Sequence, residues 1–266
     1  MGDQLDEGTA VTSDSLHKDY AHRLQRLLNP RDLPIMYLIG NHDAAFGAHM
    51  TPELIRRHET AFGPSNRLIE IKGKLYLQLN TMALDKDVQD SYVVQEAMAF
   101  LDHVERQRNQ TKFPPLILLT HVPLYRQNDV KCGPLRAHET GHITYEAPDF
   151  QYSEHHHVLS KSLSDRLLRT IRPHAIFSAH THAVCSYNHS VSYQKTPIAE
   201  YTVPTFAWSM RPDPWYAVVT GHIDICALPT ESQHIVSLVM LAIFYIAGLS
   251  MWWCRHRGSG DKTKVP

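Results

Sequence analysis

Four short groups of residues in this sequence carry side chains that bind metal ions or move protons. They are Gly2-Asp3-x-x-Asp6, Gly40-Asn41-His42-Asp43, Thr120-His121 and Ala179-His180-Thr181-His182. Carboxylate and amide oxygens are hard ligands, and imidazole is a borderline one. Without a thiolate, this set suits manganese, iron or zinc in an open catalytic site better than a closed structural zinc site. Taken alone, each group also fits a polar turn after a strand.

The positions of these groups favour a shared pocket. Residues 35–39, 116–119 and 175–178 are short apolar runs that predict buried strands, and each runs into one of the histidine-bearing groups. Strand ends at one edge of a sheet converge, so the groups can lie together. Other histidines of the chain, which has 19 in all, are interpreted as structural: His17, His22, His49, His58, His103, His174, His222 and His234.

The elements that position these groups follow from apolar periodicity and from capping signals. Helices are predicted from Ser13 or Ser15 to Leu28, from Thr51 to Gly63, from Val94 to Arg108 and from Leu159 to Ile171. A hairpin is predicted with strands at 68–71 and 75–80. Residues 126–157 show no clean periodicity, and a loop of that length is usually functional or disordered. Early strand–helix–strand alternation with strands late predicts an α/β domain whose sheets are covered by helices.

A second region, residues 235–253, is uncharged and long enough to cross a bilayer. Trp252 and Trp253 stand where an interfacial aromatic belt would lie, and Arg255 and Arg257 follow. Basic residues after a span favour a cytosolic tail and a lumenal N-terminal domain. We therefore expect a catalytic domain over 1–230, a membrane helix over 235–253 and a cytosolic tail over 254–266.

Other signals bear on compartment and partners. No signal peptide is expected, since residues 1–8 contain no apolar stretch. Two glycosylation sequons begin at Asn109 and Asn188, which agrees with a lumenal domain. Four cysteines allow one disulfide there, but the sequence does not pair them. A net charge of −1 gives no electrostatic case for nucleic acid as a partner.

Taken in order, the four groups resemble four of the five sequence blocks of the calcineurin-like metallophosphoesterases. The resemblance implies a metallophosphoesterase-type β-sandwich flanked by helices and two divalent metal ions, with manganese the expected metal. Asp3 would bridge the ions, Asn41, His121 and His180 would complete the second metal, and His182 would bind the first. His42 would be the catalytic proton donor or charge stabiliser beside the phosphate, held by Asp43. The triplet His155, His156 and His157 either lines the substrate mouth or is a solvated loop.

The long segment after Pro123, together with the membrane span and the tail, resembles a membrane-bound branch of this family that remodels glycosylphosphatidylinositol (GPI) anchors. That resemblance implies a phosphodiesterase that removes an ethanolamine-phosphate side branch from a mannose of the anchor. The substrate would be a GPI-anchored protein or glycolipid. Lys262 and Lys264 resemble a dilysine retrieval signal. Such a tail would contact coat proteins and cargo receptors and would place the protein in the ER, ER exit sites, ER–Golgi intermediate compartment and cis-Golgi.

One block of the family pattern has no counterpart here. The first block, Asp-x-His, supplies two ligands of the first metal, and the sequence starts at the second block. We therefore expect an N-terminally shortened form whose first metal is poorly held. Two alternatives remain open: a scaffold that keeps the fold with a half-built metal site, and a phosphatase acting on phosphoproteins or nucleotides.

Overall fold

The computed structural model describes residues 1–28, 35–110, 114–139, 145–220 and 222–257. The helices are α1 (Asp14–Leu28), α2 (Asn41–Ala44), α3 (Pro52–Phe62), α4 (Ser91–Gln110), α5 (Pro134–Ala137), α6 (Lys161–Thr170) and α7 (Glu231–Arg257). The strands are β1 (Arg67–Ile71), β2 (Lys74–Gln78), β3 (Leu116–Leu119), β4 (Ala175–Ser178), β5 (Cys185–His189), β6 (Ile198–Thr202), β7 (Trp215–Val219) and β8 (Ile223–Ala227). The chain divides into two compact units, Met1–Thr205 and Phe206–Pro266.

The first unit is built on a six-stranded sheet with the order β1-β2-β3-β4-β6-β5. Strands β2, β3, β4 and β6 are parallel, while β1 and β5 pair antiparallel at the two edges. Parallel strands place all of their carboxyl ends at one edge of the sheet. The predicted α/β class, with helices flanking a central sheet, is confirmed.

Helices α4 and α6 contribute apolar faces to the main core. Ala97, Leu101 and Val104 of α4 are buried at helical spacing, and Leu163 and Leu167 of α6 are buried likewise. These side chains belong to the same buried cluster as the sheet residues. A smaller cluster of Leu5, Ala21 and Phe62 joins the N-terminal residues to α1 and α3. Burial of the apolar faces, which requires the sheet, is what stabilises these helices.

The strand predicted at residues 35–39 is wrong, although Leu38 and Ile39 are buried as expected. Among the described residues this stretch joins no ladder, and the positions beside β2 and β3 in the sheet are taken by other strands. Side chains satisfy its backbone instead. Gln78 Nε2 donates to the Tyr37 carbonyl over 2.7 Å, and Gln4 Nε2 donates to the Leu38 carbonyl over 3.2 Å.

The second unit contains the β7–β8 hairpin and α7. The apolar helix is longer than predicted, since it begins at Glu231 rather than at 235. Its segment Glu231–His256 is strongly apolar, and none of its most apolar part is buried. Length and composition therefore make α7 suited to be a membrane anchor. The dilysine-like tail, residues 258–266, lies outside the described residues.

Candidate metal centre

Two parallel strands deliver the first two candidate ligands. Strand β3 ends at Leu119 and is followed by His121, while β4 ends at Ser178 and is followed by His180. Residues 119 and 177 are paired across the β3–β4 ladder, so both histidines leave the sheet at the same edge. Their ring centroids are 5.1 Å apart. The convergence expected from strand ends is thus present for these two groups.

Asp3 and Asn41 complete the cluster from outside the sheet. Asp3 Oδ2 lies 3.2 Å from His121 Nε2, and Asn41 Oδ1 lies 3.0 Å from the same nitrogen. Ligand atoms of Asp3, His121 and His180 all lie within 4.8 Å of one another. Four predicted ligands from distant parts of the chain therefore meet at one point. Their donor types, one carboxylate, one amide oxygen and two imidazoles, suit a divalent ion such as manganese, iron or zinc.

The hydrogen bonding of His121 is a test of that fit. Its Nδ1 lies 2.9 Å from the carbonyl oxygen of Met1. A carbonyl only accepts, so Nδ1 carries a proton, and in the neutral form of the ring the Nε2 lone pair faces two oxygens. In that form three acceptors face one another, and a cation between them would satisfy all three. The residues present therefore fit a divalent metal ion.

The pKa values of Asp3, His121 and His180 are shifted by burial and by one another. Burial alone would raise the pKa of Asp3, but His121 and the His42 backbone N–H hold that pKa well below its usual range. Burial opposes protonation of His121, yet the Asp3 carboxylate raises its pKa overall. Burial and the neighbouring His121 lower the pKa of His180 to about 3. His180 is consequently a neutral imidazole, which is the form that binds a metal.

Several candidate ligands have strained backbones. Asp3, His180 and His182 have φ values of 51°, 64° and 58°. This left-handed region is uncommon for residues other than glycine, and such strain persists where the surroundings hold it in place. The strain marks this cluster as a site whose side-chain directions matter.

Gly40 is required at the edge of this cluster. Its φ of −122° is open to any residue, so backbone conformation is not the reason. The reason is close approach, because a Cβ at Gly40 would overlap both the backbone nitrogen and the carboxylate of Asp3. The absence of a side chain at position 40 thus allows Asp3 to enter the site.

The family assignment follows from comparison with known sequences. The model of the family described as calcineurin-like phosphoesterase matches residues 1–184. This chain belongs to the calcineurin-like phosphoesterases. The predicted family is therefore confirmed, and the assignment implies a metal-dependent phosphoester hydrolase with divalent ions at the cluster just described.

Individual relatives extend the similarity beyond the matched domain. Metallophosphoesterase 1 of Danio rerio is 32% identical over 95% of this chain and 70% of its own length. The proteins of the same name from Xenopus laevis and Gallus gallus are 30% and 28% identical, over 99% and 93% of this chain and 71% and 64% of their own lengths. A protein of Thermus thermophilus with known structure, TT1561, gives a TM-score of 0.42 at 11% identity over 82% of each chain, which adds nothing on function.

The predicted contact between the two catalytic candidates of this phosphoesterase is wrong. Asp43 does not hold His42. Its carboxylate instead accepts the backbone N–H groups of Gly40, Gln4 and Leu5 at 2.8–3.1 Å. Asp43 therefore joins the segment that carries Asp3 to the segment that carries Asn41. Burial and the charge of Asp3 raise its pKa to about 6.

His42 is oriented by another group. Its Nδ1 donates to the carbonyl oxygen of Asp6 over 2.7 Å, and the side chain is 44% exposed. The other ring nitrogen, Nε2, is thus left for solvent or substrate at the mouth of the site. This placement suits a proton donor, with Asp6 taking the orienting role that was assigned to Asp43.

The remaining predicted residues lie around the cluster rather than inside it. His182 is close enough to His180 to lower its pKa, but it is outside the group of ligand atoms within 4.8 Å. The triplet reaches the site through its backbone, because His180 Nε2 donates to the carbonyl of His156 over 2.7 Å. His155 Nδ1 lies 2.8 Å from Asp85, a buried carboxylate that the sequence analysis did not identify.

Two buried polar clusters that support the site were also missed. In the segment 126–157, which lacked periodicity, the Asp129 carboxylate accepts three hydrogen bonds. The donors are Arg126 Nε and Arg136 Nε, each over 2.8 Å, and the Tyr152 hydroxyl over 2.6 Å. We call these four residues the Asp129 knot. A disulfide between Cys132 and Cys185 ties the same segment to β5, just beyond the His180-Thr181-His182 group.

The second cluster centres on Glu200 in β6. This fully buried carboxylate accepts Ser178 Oγ, the Leu124 backbone N–H and His189 Nε2 at 2.6, 3.1 and 2.6 Å. It therefore joins the end of β4 to the segment that follows His121. The signal in the sequence was a single glutamate inside the apolar strand Ile198–Thr202.

Proposed function

We propose that this chain is a phosphodiesterase that removes an ethanolamine-phosphate branch from a mannose of GPI anchors. The observation that carries the proposal is the meeting of Asp3, Asn41, His121 and His180 at one edge of the sheet. Sequence similarity to the metallophosphoesterase 1 proteins over most of the chain supports it as well. We further propose that manganese is the metal and that two ions are bound, with Asp3 bridging them and His182 on the first.

Metal ions bound here would lower the pKa of a coordinated water and stabilise negative charge on the phosphate oxygens. Water adds to phosphorus and gives up one proton to solvent, the bond from phosphorus to the mannose oxygen breaks, and that oxygen takes up a proton. His42 supplies this proton from Nε2, since Nδ1 is fixed on the Asp6 carbonyl. Asp43 keeps the backbone of residues 40–44 in register with Asp3.

We also propose a lumenal domain in membranes of the ER, its exit sites, the intermediate compartment and the cis-Golgi. The Cys132–Cys185 disulfide supports this orientation, because disulfides persist in oxidising compartments. Asn188 is exposed on the edge strand β5, where a glycosyltransferase could reach it. An Asn188→Gln chain expressed in cells should run faster on gels, as should the wild type after glycosidase treatment. Identical mobility in all three samples would argue for a cytosolic domain. Contacts of the tail with coat proteins and cargo receptors are part of the same proposal.

The test of activity uses the full chain in detergent with manganese. An ethanolamine-phosphate diester of mannose and the corresponding mannose phosphate monoester are offered, and released phosphoethanolamine and phosphate are measured. We expect turnover of the diester, bound manganese, and loss of both in Asn41→Ala. Preference for the monoester would favour the phosphatase alternative. A chain that binds no manganese and turns over neither ester would be the scaffold.

A further inference from the structure

A row of aromatic rings leads away from the metal centre. Phe46 packs against His180 with 5.4 Å between ring centroids and stacks on His156 at 6.3 Å. His156 lies 4.5 Å from His157, which in turn lies 5.3 Å from Phe150. Tyr152 stacks on His157 at 5.5 Å. We call these five side chains the aromatic row: Phe46, Phe150, Tyr152, His156 and His157.

The row is held in place by the surrounding structure. The Tyr152 hydroxyl donates to Asp129, and its ring lies 5.4 Å from the buried Arg126 guanidinium. His157 Nδ1 accepts the Ser153 backbone N–H over 3.2 Å. The His156 carbonyl accepts from His180, so the row and the metal centre share one backbone segment. A surface that is rigid before binding loses little conformational entropy when a ligand arrives.

The exposed parts of the row are flat and polar at their edges. His156 is exposed, and Phe150 is 36% exposed. Because Nδ1 of His157 is an acceptor, its Nε2 carries the proton of the neutral ring and is a donor. Burial and the neighbouring His156 also lower the pKa of His157. Arg126, the cation described against the row, is buried and paired with Asp129, so it cannot reach a ligand.

This combination indicates the kind of group that lies beside the scissile phosphate. The negative face of an aromatic ring attracts the partially positive C–H bonds of a flat apolar ligand face. Imidazole edges donate to and accept from hydroxyl groups. A nucleotide with further phosphates or a phosphopeptide would instead need exposed cations. A sugar ring offers an apolar face and a rim of hydroxyls, and it carries no charge.

We propose that the aromatic row binds the sugar that carries the scissile phosphodiester, with Phe150 at its outer end stacking on the sugar face. The proposal rests on the proposed function, since it assigns part of the substrate to a surface continuous with the same site. Phe150 is the residue to test because it is exposed, and it touches none of the candidate metal ligands in the described contacts.

The experiment compares three ethanolamine-phosphate diesters with the full chain in detergent and manganese. Their second alcohol is mannose, methanol or the 5′-hydroxyl of adenosine, and released phosphoethanolamine is measured for each. The variants are Phe150→Leu, which removes the ring, and Phe150→Tyr, which keeps it. Tyr92→Leu is the matched control, because Tyr92 is an aromatic residue on α4 that is 58% exposed and outside the row. A second readout is saturation transfer from protein to sugar protons, recorded after EDTA treatment so that no turnover occurs.

We expect the wild type to prefer the mannosyl diester over the methyl diester, as judged by kcat/KM. Phe150→Leu should reduce that preference about three- to tenfold, in keeping with the strength of a single aromatic contact. Phe150→Tyr should restore it, Tyr92→Leu should leave it unchanged, and saturation transfer to the sugar should follow the same order.

Two results would overturn the sugar assignment while leaving the diesterase in place: an unchanged preference in Phe150→Leu, or a stronger preference for the adenosine diester. Failure of the wild type on all three diesters would instead remove the proposed function. A comparison of saturation transfer between Phe150→Leu and the wild type would then decide whether the aromatic row binds the sugar, since that measurement needs no catalysis.

Discussion

The metal centre and the Asp129 knot are both polar clusters, but their hydrogen-bond balance differs. At the metal centre, a carboxylate, an amide oxygen and, with His121 neutral, an imidazole nitrogen face one another as acceptors. At the knot, one carboxylate receives two guanidinium groups and a phenol hydroxyl. A surplus of acceptors requires a cation from outside, whereas a cluster that contains its own cations needs none. The comparison teaches that the ratio of donors to acceptors separates a binding site from an internal brace.

The largest expected effect is on stability and comes from breaking the knot. Asp129→Asn leaves Arg126 and Arg136 buried without their shared counter-ion, and arginine cannot lose its proton to escape that cost. We expect the free energy of unfolding to fall by about 3–5 kcal/mol. Chemical denaturation of the full chain in detergent measures it. Asp149→Asn, an exposed carboxylate of the same segment, is the control. Equal losses in the two variants would show that Asp129 is not a brace.

A variant of the metal centre should lose turnover and bound metal more than stability. Asp3→Asn should lower turnover at least about 100-fold, since even groups that only orient metal ligands contribute 10- to 100-fold. Bound manganese should fall with it. Asp3→Asn should lose less stability than Asp129→Asn does, because its partner His121 is an imidazole, which can be neutral, and not a guanidinium, which cannot. Normal manganese content in Asp3→Asn would contradict the assignment of Asp3 as a ligand.

A third variant tests the close approach of Asp3 to Gly40. A methyl group in Gly40→Ala would overlap Asp3, so we expect overpacking to cost about 1–3 kcal/mol of stability together with weakened manganese binding. Titration of metal into the purified chain measures the second effect. Gly248→Ala is the control, because a Cβ there has nothing within 4 Å. Unchanged manganese affinity in Gly40→Ala would mean that Asp3 has room to move aside.

The smallest effect concerns Glu200, where Glu200→Gln keeps the shape and removes the charge. Burial alone would raise the pKa of Glu200, but His189 and Arg126 hold it below the ordinary 4.5. The ionised Glu200 carboxylate thus stabilises the fold above pH 4.5, and that stability is lost as the pH falls through the lowered pKa. Thermal unfolding of wild type and variant should therefore differ most near neutral pH and converge in acid. A difference that is independent of pH would show that the charge contributes nothing.

The two clusters also differ in how far the sequence predicts them. His121 and His180 were singled out because a strand end followed by histidine occurs with both β3 and β4, whereas the ligand roles of Asp3 and Asn41 came from the resemblance to the family. Local spacing also predicts helices such as α3 and α4. The stretch 35–39 was wrongly predicted as a strand, because its apolar run is typical of one. That it pairs with no strand among the described residues is decided by the tertiary structure. Asp129 and Arg136 meet Tyr152 through tertiary folding of a segment without periodicity. The role of Asp43 was missed because carboxylate-to-backbone contacts leave no sequence pattern.

The apolar helix α7 has a consequence for the membranes in which the chain is stable. Its uncharged part, residues 235–253, is about 28 Å long at a rise of about 1.5 Å per residue. The hydrocarbon core of the ER bilayer is about 27 Å thick, and that of the plasma membrane is about 32–33 Å. A helix of this length matches the thinner bilayer, whereas the thicker bilayer would have to thin around it. Hydrophobic matching thus favours a bilayer of the thinner kind for a helix of this length.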